Sequence, residues 1–511
     1  MVINIFTMKA QSQKLFCKGI GMMNPLFPTD LPNWIDGQQQ PAAASEYFNK
    51  LNPATGGLLC RVARSQAVDI EYAVAVAKRA QPAWAETPAV QRGMILHKIV
   101  VAMQQRQEDI ARVVHLETGK SFKDALGETG GAIALGLFYA SEGQRLYGKT
   151  ATSGTPNKFS MIVRQPVGVA GLIVPGNTPI ANVAWKVFPA LVCGNAVVLK
   201  AAEDTPVTAW IFSEVAHAAG LPAGLLNVVQ GYGEEAGAPL VEHPGVGVIS
   251  FTGSTEVGRY IQQAAGKRLA KVSLELGGKN PLVVADDADL EKAVSWAALS
   301  AFSNAGQRCA AGSRMIVFTV VYDQFKQMFI NKINTLKIGP DDSDDFGPVI
   351  NQEQVDMMMG VIERAKQKGA VVLTGGYQMK DAAHLGGFYL APTLIENVGV
   401  DDEISQKELF GPITCLYRAA DFDEALALAN HTTYGLTACI HTRSLHRGLL
   451  FCQKVQAGVT MVNAATYGSE PHMPFGGLKD SGNGSREPGS EALEIYSDIK
   501  VINFIVDPRQ V

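Results

Sequence analysis

The sequence predicts an α/β protein in which two lobes are each built around a largely parallel sheet. Three observations lead to this fold class. From about residue 158 onward, short apolar runs typical of strands alternate with helical patterns, as they do in βαβ units. The 511 residues are enough for roughly two to four domains. The 51 glycines, spread along the chain, indicate many tight turns.

The first lobe can be followed in chain order. Residues 69–115 repeat Ala, Val, Ile and Leu at helical spacing, which predicts helices. Strands are then predicted in KFSMIVRQPVG, VGVAGLIVP, NAVVLK, LLNVVQG and VGVISFTG. The intervening helices are predicted in IANVAWKVFPALVCG and TPVTAWIFSEVAHAAG, and a further helix follows in TEVGRYIQQAAG. This alternation predicts a parallel sheet with helices packed on its faces.

A second alternating run begins at ELGGKNP, so we expect the lobes to meet near residues 275–281. It continues with strands in SRMIVF, VVLTGG and ITCLYR and with helices near residues 322–335 and 351–368. The tail EALEIYSDIKVINFIVD is apolar and strand-like, with no later segment to cover it. An uncovered strand edge generally finds a partner, which predicts an interface there.

Composition argues against several classes of function. The 44 basic and 48 acidic side chains give a net charge of −4, which disfavours a nucleic-acid or anionic-membrane surface. The longest apolar region, residues 167–199, is interrupted by prolines, glycines and Lys186 and cannot form a membrane helix. Seven cysteines without a C-x-x-C pair disfavour a zinc site or a disulfide framework. We therefore expect no metal and a reducing, cytoplasmic location.

The N-terminal segment has an unusual composition. Residues 1–29 contain three lysines, no arginine and no acidic residue. Because they lack a clean apolar core with a cleavage site, neither a signal peptide nor a transit peptide is supported. We expect residues 1–30 to be a disordered extension, or to follow from a start codon set too early.

One cysteine differs from the others in its surroundings. Cys309 lies among polar and glycine residues in SNAGQRCAAGSR, where a thiol can be reached and its thiolate stabilised. Cys193, Cys415, Cys439 and Cys452 lie in apolar runs, where cysteine acts as a small hydrophobe. The segment alone supports a reactive role for Cys309 and a chance position about equally.

Polar residues also follow two predicted strands. FTGSTEVG links a strand to a helix, so that backbone N–H groups at Gly253 and Ser254 can hold a pyrophosphate, although such turns also occur without ligands. Lys200 and Glu203 come at the end of NAVVLK, in the position where open α/β sheets bind ligands. Glu203 can accept both hydroxyls of a ribose, or it can be a solvated loop charge.

Two further residues each have a chemical and an ordinary interpretation. Glu275 in ELGGKNP is a carboxylate at the expected lobe junction, where it can be a general base or part of an interdomain salt bridge. Asn177 in VPGNTP follows a buried strand, where its amide can donate to an oxyanion or form an Asx-turn.

The order of the motifs is more specific than any one of them. PGNTPIANVAWKVFPALVCGNAVVLK, FTGSTEVG, ELGGKNP, NAGQRC, KELFGP and MPFGG, in that order, resemble the NAD(P)-dependent aldehyde dehydrogenase superfamily. The resemblance extends from about residue 33 to the tail. Its most specific part is the pair ELGGKNP and GQRC, with 34 residues from Glu275 to Cys309.

The resemblance implies a mechanism. Cys309 would attack the aldehyde carbonyl, and the resulting oxyanion would be stabilised by the Asn177 side chain and the Cys309 backbone N–H. A hydride would pass to NAD, leaving a thioester that Glu275 hydrolyses by activating water. Lys186 matches a family lysine near the active site.

The resemblance also implies the cofactor contacts. Lys200 and Glu203 would hold the adenosine ribose, Gly253 and Ser254 the pyrophosphate, and Glu408 and Phe410 the nicotinamide ribose and ring. We expect NAD to be preferred over NADP, because the charge of Glu203 opposes a 2′-phosphate, although Lys200 has the opposite effect.

A substrate tunnel is expected beside the nucleophile. Its predicted lining is Thr178, Asn182, Trp185, Arg308 and Tyr467. Arg308 can pair with a substrate carboxylate or simply tie down the Cys309 loop, while Trp185 and Tyr467 leave room for an aromatic or aliphatic chain. The expected substrate is a polar or carboxylate-bearing aldehyde, namely a short semialdehyde.

The implied fold has three parts. They are a Rossmann-like NAD-binding domain of residues 31–157 and 167–277, an α/β catalytic domain of residues 278–490, and a small β oligomerisation element of residues 158–166 and 491–511. We expect a homodimer or homotetramer. The sequence departs from many members at Gly176 and Thr178, which replace Trp and Phe beside the catalytic asparagine, and at Ala201, which replaces Pro.

Three alternatives remain open. A CoA-acylating relative typically lacks the glutamate at Glu275. A non-catalytic structural protein on the same fold would not need Cys309, Glu275 and Asn177 together. A cysteine hydrolase needs a histidine partner, and none of the nine histidines lies in a recognisable triad motif.

Overall fold

The structure is a computed structural model that describes residues 26–510. Most of the expected N-terminal extension, residues 1–25, lies outside the described residues. The boundary predicted at residue 30 is too late, because Phe27 is buried in the core of the first lobe and Asp30 begins a strand. The apolar ring of Phe27 accounts for this, since packing it removes apolar surface from water.

The described chain forms strands and helices that are numbered in chain order. The strands are β1 (Asp30–Leu31), β2 (Asn33–Ile35), β3 (Gln38–Gln40), β4 (Tyr47–Leu51), β5 (Leu58–Ala63), β6 (Lys149–Thr152), β7 (Lys158–Pro166), β8 (Val169–Ile173), β9 (Ala196–Lys200), β10 (Leu226–Val229), β11 (Val248–Thr252), β12 (Lys271–Glu275), β13 (Asn280–Val284), β14 (Gly312–Phe318), β15 (Val371–Thr374), β16 (Thr393–Glu396), β17 (Ile413–Ala419), β18 (Tyr434–Gly435), β19 (Thr437–His441), β20 (Val459–Val462), β21 (Leu478–Lys479) and β22 (Ser497–Ile505). The α-helices are α1 (Ala67–Glu86), α2 (Ala89–Gln105), α3 (Gln107–Thr118), α4 (Phe122–Glu142), α5 (Pro179–Val192), α6 (Pro206–Ala218), α7 (Ala238–Glu242), α8 (Thr255–Gly266), α9 (Leu290–Phe302), α10 (Thr319–Ile333), α11 (Gln352–Gln367), α12 (Glu403–Gln406), α13 (Phe422–Asn430), α14 (Leu445–Lys454) and α15 (Ala492–Ile495). A π-helical turn covers Gly233–Gly237, and short 3₁₀ turns cover Ser303–Gly306 and Pro508–Gln510.

The first lobe is built on a sheet of seven strands among the described residues, in the order β12-β11-β8-β9-β10-β2-β3. The five strands from β12 to β10 run parallel, and β2 and β3 add an antiparallel edge. Every side chain of β9 is buried, as expected for a central strand covered by helices on both faces. A separate small sheet, β1-β5-β4, flanks this lobe.

The second lobe repeats the architecture. Its sheet has the order β15-β16-β17-β14-β13-β19-β20 and is parallel except for β15. Helices α9 and α10 pack against this sheet, with a core that includes Phe302, Phe325 and Phe329. Two largely parallel sheets confirm the predicted α/β fold class.

The connection between the lobes is short. Strand β12 ends at Glu275 and β13 begins at Asn280, so residues 276–279 cross from one sheet to the other. The chain also returns late to the first lobe, because Glu275 forms an isolated bridge with Gly482. The predicted catalytic segment 278–490 therefore ends in residues that pack on the first lobe.

A three-stranded sheet, β22-β7-β6, is separate from the sheets of both lobes in the described structure, although Lys271 of β12 donates to the Ser497 carbonyl of β22 at 2.7 Å. Strand β7 covers the predicted residues 158–166, and β22 pairs with it antiparallel over its full length. Strand β6 belongs to this sheet as well, although it lies within the segment 31–157 that is predicted for the NAD-binding domain. Its sequence KTAT is short, polar and fully exposed, so it carries no hydrophobic alternation to mark it as a strand. Within residues 26–510, no helix has the length and apolar character that crossing a membrane requires.

Candidate active site

A cavity of about 680 Å³ opens between the lobes, at the C-terminal ends of β8, β11 and β12. Open α/β sheets bind their ligands at such strand ends. The predicted site residues on its wall are Asn177, Thr178, Asn182, Trp185, Gly253, Ser254, Glu275, Arg308, Cys309, Glu408, Phe410 and Tyr467. The other three predicted residues, Lys186, Lys200 and Glu203, are not part of the wall. Residues from both lobes thus surround one cavity.

Cys309 reaches this cavity from a tight turn. The preceding 3₁₀ turn, Ser303–Gly306, holds Asn304 and Ala305 at a φ of 54°, a left-handed conformation that a side-chain-bearing residue such as alanine seldom adopts. Backbone strain of this kind persists only where the surroundings enforce it, and it is common next to reactive groups. Asn280 Nδ2 donates to the Cys309 carbonyl oxygen at 2.8 Å and so ties the turn to the start of β13.

The electrostatics of the cavity keep the thiol protonated. Burial, together with the carboxyl groups of Glu408 and Glu275, raises the pKa of Cys309 to about 12, and the nearby Arg308 charge only partly opposes this. The thiolate, not the thiol, is the nucleophilic form. At neutral pH, Cys309 therefore needs a base or an added positive charge in order to react.

Glu275 lies at the end of β12 with both carboxyl oxygens buried and unpartnered among the described residues. Burial is the main cause that raises its pKa well above the usual range. The Glu487 carboxylate adds to this rise and the Lys186 ammonium opposes it. A Cβ at Gly476 would lie 2.7 Å from Glu275 Oε1, so glycine at that position leaves the carboxyl its space.

The charged pair behind Glu275 involves a residue that sequence reasoning missed. Lys186 Nζ lies 2.7 Å from Glu487 Oε2 and donates to Ser250 Oγ at 2.7 Å. The other Glu487 oxygen accepts from Ser250 Oγ at 2.8 Å and from the Tyr496 hydroxyl at 2.9 Å. Both charged side chains are almost fully buried. No sequence pattern marks Glu487, which follows the polar segment GNGSR.

Both polar atoms of the Asn177 side chain form hydrogen bonds. Its Nδ2 donates to the Gln307 carbonyl oxygen at 2.8 Å, which places the amide beside the Cys309 loop. Its Oδ1 accepts from Asn182 Nδ2 at 3.2 Å. The backbone N–H of Cys309 has no acceptor among the described residues. Two donors therefore border the space in front of the sulfur.

The cavity also has groups that can bind a dinucleotide. The Ser254 side chain caps α8 by accepting only the Val257 N–H, which leaves the other first-turn N–H groups for an anion such as a pyrophosphate. Glu408 Oε1 accepts from the Gly278 N–H at 3.1 Å, and burial raises the Glu408 pKa to about 7. These donors and acceptors fit the groups of NAD.

The two residues predicted to contact the adenosine ribose, Lys200 and Glu203, lie outside the cavity wall. Lys200 Nζ lies 2.5 Å from Glu203 Oε2, so the two predicted ribose contacts pair with each other. Glu203 is the more exposed partner, with 42% of its side chain accessible. Among residues 26–510, no group of three or more His, Cys, Asp or Glu side chains is placed to hold a metal ion.

A second cavity, of about 580 Å³, adjoins the first. The two share the lining residues Thr178, Ala181, Trp185, Arg308 and Ser469. The Arg308 guanidinium lies over the Tyr467 ring, 4.7 Å from its centroid, and Nε donates to Ser303 Oγ at 3.3 Å. Ser303 Oγ in turn donates to the Tyr467 hydroxyl at 2.9 Å. The arginine is thus oriented at the junction of the two cavities.

Comparisons with known proteins agree with this geometry. Residues 40–502 match the model of the aldehyde dehydrogenase family. An α-ketoglutaric semialdehyde dehydrogenase of Bacillus subtilis is 39% identical over 92% of this chain and 97% of its own. The structure of a betaine aldehyde dehydrogenase from Staphylococcus aureus, in complex with NAD+, is similar with a TM-score of 0.91 and 32% identity, covering 93% of this chain and 95% of that one. An NADP-dependent enzyme of E. coli has a TM-score of 0.90 and 37% identity, covering 94% and 99%. The chain therefore belongs to the aldehyde dehydrogenase family, and its reaction is the oxidation of an aldehyde to an acid.

Proposed function

We propose that Cys309, Asn177 and Glu275 carry out this oxidation on a short semialdehyde, an aldehyde that bears a carboxylate at its other end. The observation that supports the chemistry is their convergence on one cavity, with the two oxyanion donors beside the sulfur. The observation that supports the substrate is the oriented guanidinium of Arg308 at the junction of the two cavities.

The first step is attack by sulfur. Cys309 gives its proton to solvent, its sulfur forms a bond to the carbonyl carbon, and the π electron pair of the carbonyl moves to the oxygen. Asn177 Nδ2 and the Cys309 N–H donate to that oxyanion, and preorganised donors of this kind each contribute about 10²–10³-fold in rate. A bound NAD(P) would supply the hydride acceptor for the same carbon, and Cys309 would then carry the acyl group as a thioester.

The second step is hydrolysis. Glu275 takes a proton from water, the hydroxide oxygen attacks the thioester carbon, and the carbon–sulfur bond breaks to release the acid and Cys309. A general base works best when its pKa is near the working pH, so a raised pKa suits Glu275 to this task. Lys186 and Glu487 act on Glu275 through their charges and are positioning residues rather than participants.

NAD is the proposed cofactor in preference to NADP. Glu203 can accept the ribose hydroxyls, and its negative charge opposes a 2′-phosphate. Pairing with Lys200 reduces that opposition, which leaves NADP as a poorer alternative. The relatives include one structure with NAD+ and one enzyme described as NADP-dependent.

Arg308 is the proposed contact for the distal carboxylate. Among the described residues neither of its Nη nitrogens has a hydrogen-bond or ion-pair partner, while stacking on Tyr467 and the bond to Ser303 fix the plane of the guanidinium. A planar fork with two free donors matches a carboxylate. The B. subtilis relative is named for a substrate of this class.

The test compares aldehydes of similar length. We expect kcat/KM for succinic and 2-oxoglutaric semialdehydes to exceed that for hexanal and benzaldehyde in the wild type. Arg308→Ala should remove that preference while sparing hexanal, and Arg308→Lys should restore only part of it because a point charge lacks the fork. Adding CoA to the assay separates acyl transfer to water from acyl transfer to CoA. Higher kcat/KM for hexanal in the wild type contradicts the proposed substrate.

The assembly is proposed to be a homodimer or homotetramer in the cytoplasm. One face of the sheet of β6, β7 and β22 exposes large apolar side chains of β22, namely Ile499 at 68%, Val501 at 58% and Ile505 at 73%. Exposed apolar patches on a strand-built face generally mark an interface. Light scattering on the purified chain tests the assembly, and a monomer at micromolar concentration contradicts it. Localisation of a fluorescent fusion tests the compartment.

A further inference from the structure

A small polar network fixes the side chain of Asn177. The Asn177 carboxamide lies between two partners, accepting from Asn182 Nδ2 at 3.2 Å and donating to the Gln307 carbonyl at 2.8 Å. The second hydrogen of Asn182 Nδ2 goes to Thr178 Oγ1 at 3.1 Å. Asn182 is 7% exposed and lies in the first turns of α5. Its amide is therefore occupied before any substrate arrives.

The Gln307 carbonyl determines the direction of the hydrogen bonds in this network. A backbone carbonyl can only accept, so Gln307 must receive a hydrogen from Asn177 Nδ2. If the Asn177 amide were turned over, its oxygen would face the Gln307 oxygen with no hydrogen between them. With Nδ2 pointing at Gln307, the Asn177 oxygen needs a donor on its other side, and Asn182 Nδ2 is that donor. One hydrogen of Asn177 Nδ2 then remains free for an oxyanion.

Buried charged side chains fix the start of α5, where Asn182 lies. Glu128 accepts from the Ile180 N–H at 3.0 Å and so satisfies one of the free donors at the start of α5. Lys120 Nζ lies 2.6 Å from the other Glu128 oxygen and donates to the Asn177 backbone carbonyl at 2.9 Å. Both charged side chains are more than nine-tenths buried. The start of α5 and Asn177 are thus joined through buried charged groups.

We propose that Asn182 is a positioning residue that orients the Asn177 amide toward the reacting oxygen. This assignment replaces the expected role of Asn182 as a substrate contact, although its side chain does border the cavity. The proposal rests on the proposed oxyanion role of Asn177. It deepens that role by naming the residue that decides which end of the amide faces the reacting oxygen.

Two substitutions separate positioning from bulk. Asn182→Ala removes the donor, and we expect the NADH burst to slow about tenfold, a part of the ~10²–10³-fold that a lost oxyanion donor costs. Asn182→Asp keeps the shape but can only accept when ionised, so it competes with Gln307 for Asn177 Nδ2. Its loss should exceed that of Asn182→Ala and should grow as pH rises through ionisation of the new carboxyl.

The readouts are chosen so that a merely structural effect does not reproduce them. Acetaldehyde and a longer aldehyde should lose the same factor in burst rate, with KM for each nearly unchanged, because an amide that acts through Asn177 does not sense the aldehyde tail. NAD titration and the melting temperature verify that each variant is folded. If Asn182→Ala unfolds, the near-isosteric Asn182→Asp is the variant that tests the proposal.

A double-mutant cycle gives the decisive outcome. In an Asn177→Ala background, Asn182→Ala should cost nothing further, since the group it orients is gone. If the two losses multiply, or if the loss depends on the aldehyde, Asn182 acts elsewhere and the proposal is overturned. If Asn177→Ala itself retains the wild-type burst, the oxyanion role of Asn177 fails and this inference fails with it. If Asn177→Ala is impaired while both Asn182 variants burst normally, this inference alone fails.

Discussion

Replacement of Glu275 by glutamine gives the sharpest test of the two-step mechanism. The substitution keeps the shape of a side chain whose oxygens have no protein partner among the described residues, so the fold should tolerate it. It removes the base but leaves Cys309 and Asn177 in place. Attack and hydride transfer should continue, and hydrolysis of the thioester should stop.

The expected size of the effect follows from what else lines the cavity. A positioned general base typically supplies ~10²–10⁴-fold in rate, equivalent to roughly 3–6 kcal/mol of activation free energy at about 1.4 kcal/mol per factor of ten. The other carboxyl groups on the wall are already engaged, Glu408 by the Gly278 N–H and Asp204 by the Asn351 amide. Since neither is free to replace Glu275, the steady rate should fall by at least about 10².

Stopped-flow absorbance of NADH measures both phases. Glu275→Gln should give a burst that approaches one NADH per active site, followed by a slow steady phase. Glu408→Gln is a matched control, because it is the same change in the same cavity, at a residue proposed to hold the cofactor. It should slow the hydride step and show no burst. A steady-state rate equal to that of the wild type in Glu275→Gln would refute the assignment of the base.

Three further results are expected. Cys309→Ser should abolish turnover while NAD titration stays near wild type, since a hydroxyl is far less nucleophilic than a thiolate; NADH formation by this variant at the wild-type rate contradicts the nucleophile. The rate of alkylation of Cys309 by iodoacetamide in the free enzyme should rise about tenfold per pH unit between pH 7 and 10 without a plateau. The reason is that a pKa of about 12 keeps the thiolate a minor species over that range. A plateau of the alkylation rate near neutral pH contradicts the raised pKa of Cys309. Glu203→Gln should raise kcat/KM for NADP relative to NAD, and an unchanged ratio indicates that the carboxylate does not oppose the 2′-phosphate.

The sequence was sufficient to predict the three residues to which we assign the chemistry, and the structure brings them together on one cavity wall. Cys309, Glu275 and Asn177 each lie in a glycine-containing segment whose composition is unusual for a core or a solvated loop. Their separation along the chain by more than 30 residues hides their proximity, yet the sheet topology brings strand ends together, as the predicted βαβ pattern requires.

The residues that support those groups were not predictable in the same way. Glu487 comes from a segment far along the chain and meets Lys186 only because the chain returns to the first lobe after the second is complete. A buried ion pair has no local sequence pattern, since each partner alone resembles an ordinary surface charge. The sequence predicts Asn182 as a substrate contact, and the hydrogen bond that changes this interpretation depends on the rotamer of Asn177.

The missed elements have equally local reasons. Helix α4 runs from Phe122 to Glu142 through several glycines, which weaken helical propensity, and tertiary packing against α2, α3 and α5 outweighs that weakness. Strands β1, β4 and β5 are short and carry mixed side chains. Short strands without a clean alternation are specified by their partners rather than by their own residues.

The ionisation of Cys309 and the ionisation of Glu275 affect each other differently before and after acylation. A thiolate at Cys309 and a carboxylate at Glu275 repel one another, and the contribution of Glu275 to the raised pKa of Cys309 expresses that repulsion. Coulombic coupling is reciprocal, so an ionised Cys309 also disfavours an ionised Glu275. Once Cys309 is acylated, its sulfur carries no charge and that repulsion ends. The base then ionises more readily at the step that requires it.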